Sequence, residues 1–163
     1  MEEEIIPLSD YTLTVLTDSF RGTFATSGGM PWVAGESLTV PTRADDDAFR
    51  ITADGVLQSG FYTRPQMDRP IGYDLLLDGT HDVVTVEKPG EDRPRLVVFK
   101  DSFANSMAPF LARHFDLVLV NLSSTRRDFT DLTALAGTFA ADRVLVVYSV
   151  GNLATAEVAP RFR

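Results

Sequence analysis

The stretch RLVVFKDSFANSMAPFLARHFDLVLVNL, residues 95–122, decides the fold class of this chain. Two continuous apolar runs, 96–99 and 117–122, flank a segment of helical composition. Such runs, rich in β-branched residues, are typical of parallel strands that helices cover on both faces. A third run at 143–150 follows a second helical segment. Residues 95–150 therefore predict a β-α-β-α-β unit with right-handed crossovers.

The first half of the chain has a different texture. Residues 11–90 contain short apolar runs separated by Gly, Pro and Asp, which predict short strands and loops. The predicted strands in this half are 37–41, 48–52, 73–77 and 83–87, and residues 11–16 are either a strand or a helix turn. A turn is predicted at Asp54-Gly55 and a loop at 64–70. The helices of the second half are predicted at about 102–114 and 130–141. Because a three-stranded unit makes a thin sheet, we expect strands of the first half to extend it, or part of the domain to be missing.

These patterns predict an α/β fold: a three-layer sandwich with a mainly parallel, doubly wound sheet and a loop- and β-rich N-terminal half. A chain of 163 residues is most simply one domain, 1–163, with room for a real core. The strongly acidic composition, with net charge −8, disfavours nucleic acid and anionic membranes as partners. We expect no signal peptide within this chain, because three glutamates follow Met1 where a signal peptide carries basic residues. No run in the sequence has the length and hydrophobicity of a membrane span, so any targeting segment is expected to lie outside this chain.

Metal and cofactor chemistry have little support in the sequence. Cysteine is absent, which excludes disulfides, thiolate metal sites and a cysteine nucleophile. The acidic run Asp45–Asp47 has no flanking ligands at a recognisable spacing and is interpreted as a solvated turn. These residues therefore predict no metal site.

Ser102 is the candidate nucleophile. It ends the predicted strand 96–100 and opens a helical segment, and ligands of open parallel sheets bind beyond the carboxyl ends of the strands. The N-terminus of a following helix would favour a developing oxyanion, and Asp101 and Asn105 lie close enough in sequence to orient or donate. The pair Asp101-Ser102 could equally be a helix cap. The residues alone slightly favour the cap.

A serine nucleophile needs a base, and the chain has two histidines. His114 lies twelve residues beyond Ser102, roughly 18 Å along a helix, which excludes it as the partner. His81 follows the predicted strand 73–77 and could approach Ser102 if that strand is parallel to 96–100. Its simpler interpretation is a loop histidine.

A longer pattern resembles a known family. The segment KDSFANS, residues 100–106, followed by PFL at 109–111, resembles the serine block of the DHHW family. That family is a bacterial branch of the SGNH (GDSL-like) hydrolase superfamily, similar to the alginate O-acetylation proteins. Three further segments resemble family blocks in the same order, and the resemblance covers roughly residues 7–155. These segments are 8–29, 73–87 and 142–153.

The resemblance implies a serine esterase or O-acyltransferase that acts on extracytoplasmic glycans without a cofactor. Ser102 would form the acyl-enzyme, and its base and orienting acid would come from the family's Asp-His-His-Trp motif. Within this chain, the residues themselves leave Asp101 and His81 as the other catalytic candidates. The oxyanion and substrate-binding candidates are Gly79, Thr80, Asn105 and Lys100. The implied partners are a cell-surface glycan or an acyl-donor protein, and the upstream part of the full-length chain.

The chain also departs from the family pattern. The Asp-His-His-Trp motif that supplies base and acid does not occur in it, so Met1 is expected to mark a natural truncation or an artificial start. Thr80 stands where relatives carry Asn, Asp82 where they carry Pro, and Asn121-Leu122-Ser123 where they often carry Asp and Arg.

The predicted function is thus a C-terminal part of such an enzyme, inactive by itself. One alternative is a small esterase that uses His81 as base, oriented by Asp78 or Asp82. The other is a non-catalytic domain that binds a glycan or a protein through Trp32, Phe61 and Tyr62.

Overall fold

The computed structural model describes residues 6–22, 25, 28–30, 32–63, 73–122 and 132–154. Within those residues the strands are β1 (Thr12–Phe20), β2 (Glu36–Thr42), β3 (Arg50–Ala53), β4 (Val56–Leu57), β5 (Val83–Glu87), β6 (Arg95–Lys100), β7 (Asp116–Asn121) and β8 (Arg143–Val147). The α-helices are α1 (Ala108–Leu111), α2 (Leu132–Thr138) and α3 (Val150–Ala154), and a 3-10 helix covers Ser102–Met107. The predicted loop 64–70 and the start of the predicted helix 130–141 lie outside the described residues.

Six of the strands form one mixed sheet in the order β4-β3-β5-β7-β6-β8. The pairings β7-β6 and β6-β8 are parallel, as predicted for the second half of the chain. The other three pairings are antiparallel, so the expected mainly parallel sheet is wrong. For β5 the reason lies in the connection 88–94 to β6, which is too short for the crossover that would return the chain to the same edge of the sheet, so β5 runs opposite to β6 and to β7 between them.

The core lies on both faces of the central strands. Every residue of β6 from Leu96 to Lys100 is buried, which explains why its sequence is continuously apolar instead of alternating. On one face, Val98 and Leu119 pack with Ala108 of α1 and with β3 and β5. On the other face, Val97 and Phe99 pack with Leu135 of α2.

Two predicted elements take a different form. Residues 73–77 are a 3-10 turn, Tyr73–Leu75, followed by an isolated bridge from Leu76 to Tyr62, and not a strand. The apolar pattern there reflects core packing, since Leu75 and Leu77 are buried and Leu77 has a positive φ of 56° that no strand permits. The predicted helix 102–114 divides into the 3-10 helix and the short α1 at the step into Pro109.

The acidic run 45–47 is not simply solvated. The side chain of Arg113 is almost fully buried and pairs with Asp45 at 3.0 Å and with Asp46. Its guanidinium also stacks 4.9 Å from the centre of the Phe49 ring. These contacts tie the β2–β3 connection to the chain that follows α1.

The described helices are all short. None of them is long and apolar enough to cross a lipid bilayer.

Candidate active site

Ser102 lies at the carboxyl edge of β6, as predicted, but it is not the helix cap. Asp101 occupies the N-cap position of the 3-10 helix, and its carboxylate accepts a hydrogen bond from the Phe103 backbone N–H at 3.1 Å. The Ser102 side chain is partly buried, and its hydroxyl has no hydrogen-bond partner among the described residues. Asp101, and not Ser102, is therefore the cap of the 3-10 helix, and the Ser102 hydroxyl is not needed to stabilise that helix.

The Asp101 carboxylate also joins a second helix to the serine loop. Its Oδ2 accepts from the Ser149 backbone N–H at 2.7 Å and from Asn152 Nδ2 at 2.8 Å, just before and within α3. Burial alone would raise the pKa of the Asp101 carboxyl, but these hydrogen bonds outweigh it and hold the pKa below its usual range. Ser149 and Asn152 were missed from the sequence because they lie about fifty residues from Asp101, and no local spacing reports such a contact.

Lys100 and Asn105 form a buried polar pair behind Ser102. Lys100 is 1% exposed, and its Nζ lies 2.6 Å from Asn105 Oδ1. Burial lowers the pKa of Lys100 to about 8, and the nearby Asp101 carboxylate acts in the opposite direction. Neither side chain is placed at the surface for direct contact with a substrate, since Asn105 is 2% exposed.

The Asn105 amide holds the loop that contains Gly79 and Thr80. Its Nδ2 donates to the Gly79 carbonyl at 3.0 Å and more weakly to the Leu76 carbonyl at 3.4 Å. Gly79 has a φ of 95°, which favours glycine at this position. The Thr80 backbone N–H has no acceptor in the part of the chain that the structure describes. The structure thus brings Gly79, Thr80, Asn105, Lys100, Asp101 and Ser102 to one edge of the sheet.

His81 lies at the same edge of the sheet because the strand that follows it is antiparallel, and not because a parallel strand ends at it, as the sequence suggested. It precedes β5, which runs antiparallel to β7, so the start of β5 lies beside the carboxyl ends of β6 and β7. Since β5 and β6 flank β7, about two strand spacings, roughly 10 Å, separate the start of β5 from the end of β6.

Both ring nitrogens of His81 face oxygen acceptors. Nδ1 lies 3.1 Å from Asp54 Oδ2, and Nε2 lies 3.1 Å from the Asp78 backbone carbonyl. Asp54 also accepts from the Val83 backbone N–H at 2.9 Å. Burial would raise the pKa of Asp54, but these donors outweigh it and lower the pKa. In this arrangement neither ring nitrogen offers a lone pair to Ser102, so the Ser102–His81 pair is not assembled.

The remaining candidates fall outside the site. His114 precedes β7, whose first residue pairs with Arg95, so it lies at the opposite edge of the sheet from Ser102, as predicted. No group of three His, Asp or Glu side chains within the described ranges could hold a metal ion. Of the proposed sugar-stacking aromatics, Trp32 is 77% exposed, but Phe61 is buried in the core. Tyr62 is partly buried, and its hydroxyl donates to the Pro41 carbonyl at 2.8 Å.

The fold and the site together define a class: a mixed α/β sheet with a serine at the carboxyl edge of a central parallel strand. Solved structures share this fold. PatB1 of Bacillus cereus with a sulfonyl adduct is 23% identical with a TM-score of 0.71, over 93% of this chain and 51% of that chain. A second PatB1 structure is 22% identical with a TM-score of 0.69, over 94% and 53%.

A DHHW family protein from Eubacterium siraeum is 16% identical with a TM-score of 0.66, over 88% of this chain and 49% of that chain. The chain therefore spans about half the length of these structures. At these identities the likeness establishes a shared fold, which supports the resemblance to the DHHW family at that level. No protein-family model matches the chain, and no curated protein matches it.

Proposed function

We propose that this chain is the serine-bearing part of an acyl-modifying domain, an esterase or O-acetyltransferase, in which Ser102 receives the acyl group. The observation that carries the proposal is that the fold does not use the Ser102 hydroxyl, because Asp101 caps the helix in its place. A serine at the carboxyl edge of a central strand, without a structural hydrogen bond among the described residues, supports a chemical role for Ser102 over a structural one. The sulfonyl adduct carried by PatB1 is consistent with this, since sulfonyl groups react with activated nucleophiles.

The proposed reaction begins with attack of Ser102 Oγ on an ester carbonyl, while a base takes the hydroxyl proton. The negative charge that develops on the carbonyl oxygen needs backbone donors, and the Thr80 N–H is one that the described fold leaves without an acceptor. The alcohol leaves with a proton, and water or an acceptor hydroxyl then attacks the acyl-serine and releases Ser102.

The base in this proposal comes from the upstream part of a longer chain. His81 is engaged by Asp54 and Asp78, so it would have to break both contacts to serve Ser102. We carry over from the family resemblance that the complete domain is a three-layer SGNH-like sandwich, that its acceptor is a cell-surface glycan, and that it works outside the cytoplasm.

The test is labelling with a fluorophosphonate probe, read as intact mass, on this chain and on a protein that includes the sequence upstream of it. We expect labelling only in the longer protein, with loss of labelling in Ser102→Ala. Ser106→Ala is the matched control, because Ser106 lies exposed on the same 3-10 helix and its hydroxyl donates to the Phe103 carbonyl at 3.1 Å. Undiminished labelling of Ser102→Ala, or no labelling of the longer protein, would refute the proposal. Labelling of Ser102 in the short chain would instead point to His81 as the base.

A further inference from the structure

The ammonium of Lys100 determines which way the Asn105 amide faces. A lysine side chain has only donors, so its 2.6 Å contact requires the amide oxygen of Asn105, and not the nitrogen, to face Nζ. Asn105 Nδ2 then faces the carbonyls of Leu76 and Gly79, at 3.4 Å and 3.0 Å. The Lys100 ammonium and the two carbonyls thus require the same orientation of the Asn105 amide.

The two carbonyls bracket a turn that is unfavourable by itself. Leu77 and Asp78 lie between them, with φ values of 56° and 60°, followed by Gly79 at 95°. Side chains with a Cβ avoid this left-handed backbone, which persists only where the surroundings hold it. Leu77 is held by complete burial in the core, and the far end of the turn is held by the Asn105 amide.

The direction of the Thr80 N–H follows from this contact. The C=O and N–H of a trans peptide point in opposite directions, so the Gly79 carbonyl faces the buried Asn105 while the Thr80 N–H faces away from it. Ser102 and Asn105 are three residues apart in a 3-10 helix, which places them on the same side of that helix. The Asn105 amide therefore links the 3-10 helix that carries Ser102 to the turn that precedes Thr80.

We propose that Lys100 is a positioning residue: through the Asn105 amide it holds the turn Leu77–Gly79 against the 3-10 helix that carries Ser102, and so fixes the direction of the Thr80 N–H. This inference rests on the proposed function for its catalytic meaning. Lys100 is buried and acts through Asn105, without contact to the substrate.

The experiment isolates the charge of Lys100 from its size. Because the chain contains no cysteine, Lys100→Cys can be alkylated at one position while unfolded and then refolded. Bromoethylamine restores a lysine-like ammonium, and iodopropane gives an uncharged side chain of the same length. Hydrogen exchange at the Gly79 N–H, which donates to the Leu76 carbonyl at 3.1 Å, reports opening of the turn. The Leu119 N–H in β7 reports the core.

We expect Gly79 to exchange about 10-fold faster or more in the propyl form than in the aminoethyl form, since a charged donor strengthens a hydrogen bond by about that factor. Leu119 should change much less. Equal Gly79 rates in the two forms, or an equal acceleration at Gly79 and Leu119, would overturn the proposal. If the propyl form does not refold, Asn105→Asp provides the test instead. Its carboxylate keeps the contact with Lys100 but cannot donate to the Leu76 and Gly79 carbonyls. Fast Gly79 exchange over a normal Leu119 rate supports the proposal there, and an unchanged Gly79 rate overturns it.

These outcomes are separable from those for the proposed function. A longer protein in which Ser102 is not labelled refutes the acyl-modifying function whatever Gly79 does. A labelled Ser102 with no exchange contrast at Gly79 refutes only the role of Lys100.

Discussion

Substitution of Lys100 by Met tests the energetics of the buried cation. The pKa of this side chain falls from 10.5 to about 8 on folding, because burial disfavours the ammonium. The unfolded chain therefore binds more protons than the folded chain between these two values, and stability contributed by Lys100 rises with pH across that window. Below the folded pKa, the ammonium lowers stability by a constant amount.

The magnitude follows from the two pKa values. At slightly more than 1 kcal/mol per pH unit, the difference amounts to roughly 3 kcal/mol between about pH 7.5 and about pH 10.5. We expect the free energy of unfolding of the unsubstituted protein, minus that of Lys100→Met, to increase by this amount over the window. Urea unfolding, followed by circular dichroism at half-unit pH steps, measures the difference.

Taking the difference between the two proteins removes the other titrating groups. The Tyr62 hydroxyl, for example, ionises at high pH in both proteins and cancels. As a second check, Asp101→Asn should make the rise begin at a lower pH, because the Asp101 carboxylate acts to raise the pKa of Lys100. A difference that stays flat, or that decreases with pH, would refute the burial of a charged Lys100 at the end of β6.

Four further outcomes follow from the structure. Asp101→Asn should lower the free energy of unfolding by about 2 kcal/mol or more in urea titrations, because its amide turns a donor toward groups that donate. Ser102→Ala should change it by less than about 0.5 kcal/mol, and a larger loss would return the capping role to Ser102. Arg113→Met should lower the free energy of unfolding by about 2 kcal/mol, because the Arg113 side chain is buried while its acidic partners remain partly hydrated. An unchanged midpoint of urea unfolding would contradict the ion pairs. Burial, with a further contribution from the Asp46 carboxylate, raises the pKa of the Tyr62 hydroxyl above its ordinary value of 10.0. The free energy of unfolding that this group contributes is therefore present below pH 10 and is lost as the pH rises above it. Tyr62→Phe should abolish that loss in urea titrations.

The sequence indicated the parts of the fold that depend on local pattern. The continuous apolar runs gave the positions of β6, β7 and β8 to within a few residues, because a strand buried on both faces has no polar alternation. The strand-to-helix step after Lys100 placed Ser102 at the carboxyl edge of the sheet. A short run of β-branched residues at 83–87 gave β5 with its observed bounds.

The direction of the N-terminal strands could not be derived from periodicity. A strand has the same period of two whether it runs parallel or antiparallel to its neighbour. Only the short connection 88–94 indicated the direction of β5. It does so only if β5 and β6 are known to lie in one sheet, which periodicity does not show.

The site itself was decided by contacts between residues distant in the chain. Asp101 caps the 3-10 helix and also binds the start of α3, because β8 ends beside β6 and brings the Ser149 N–H within 2.7 Å of its carboxylate. His81 is withdrawn from Ser102 because Asp54, in the turn between β3 and β4, lies against its ring. Sequence spacing determines which residues share a strand or a helical turn, whereas the packing of the sheet determines which polar side chains meet at its edge.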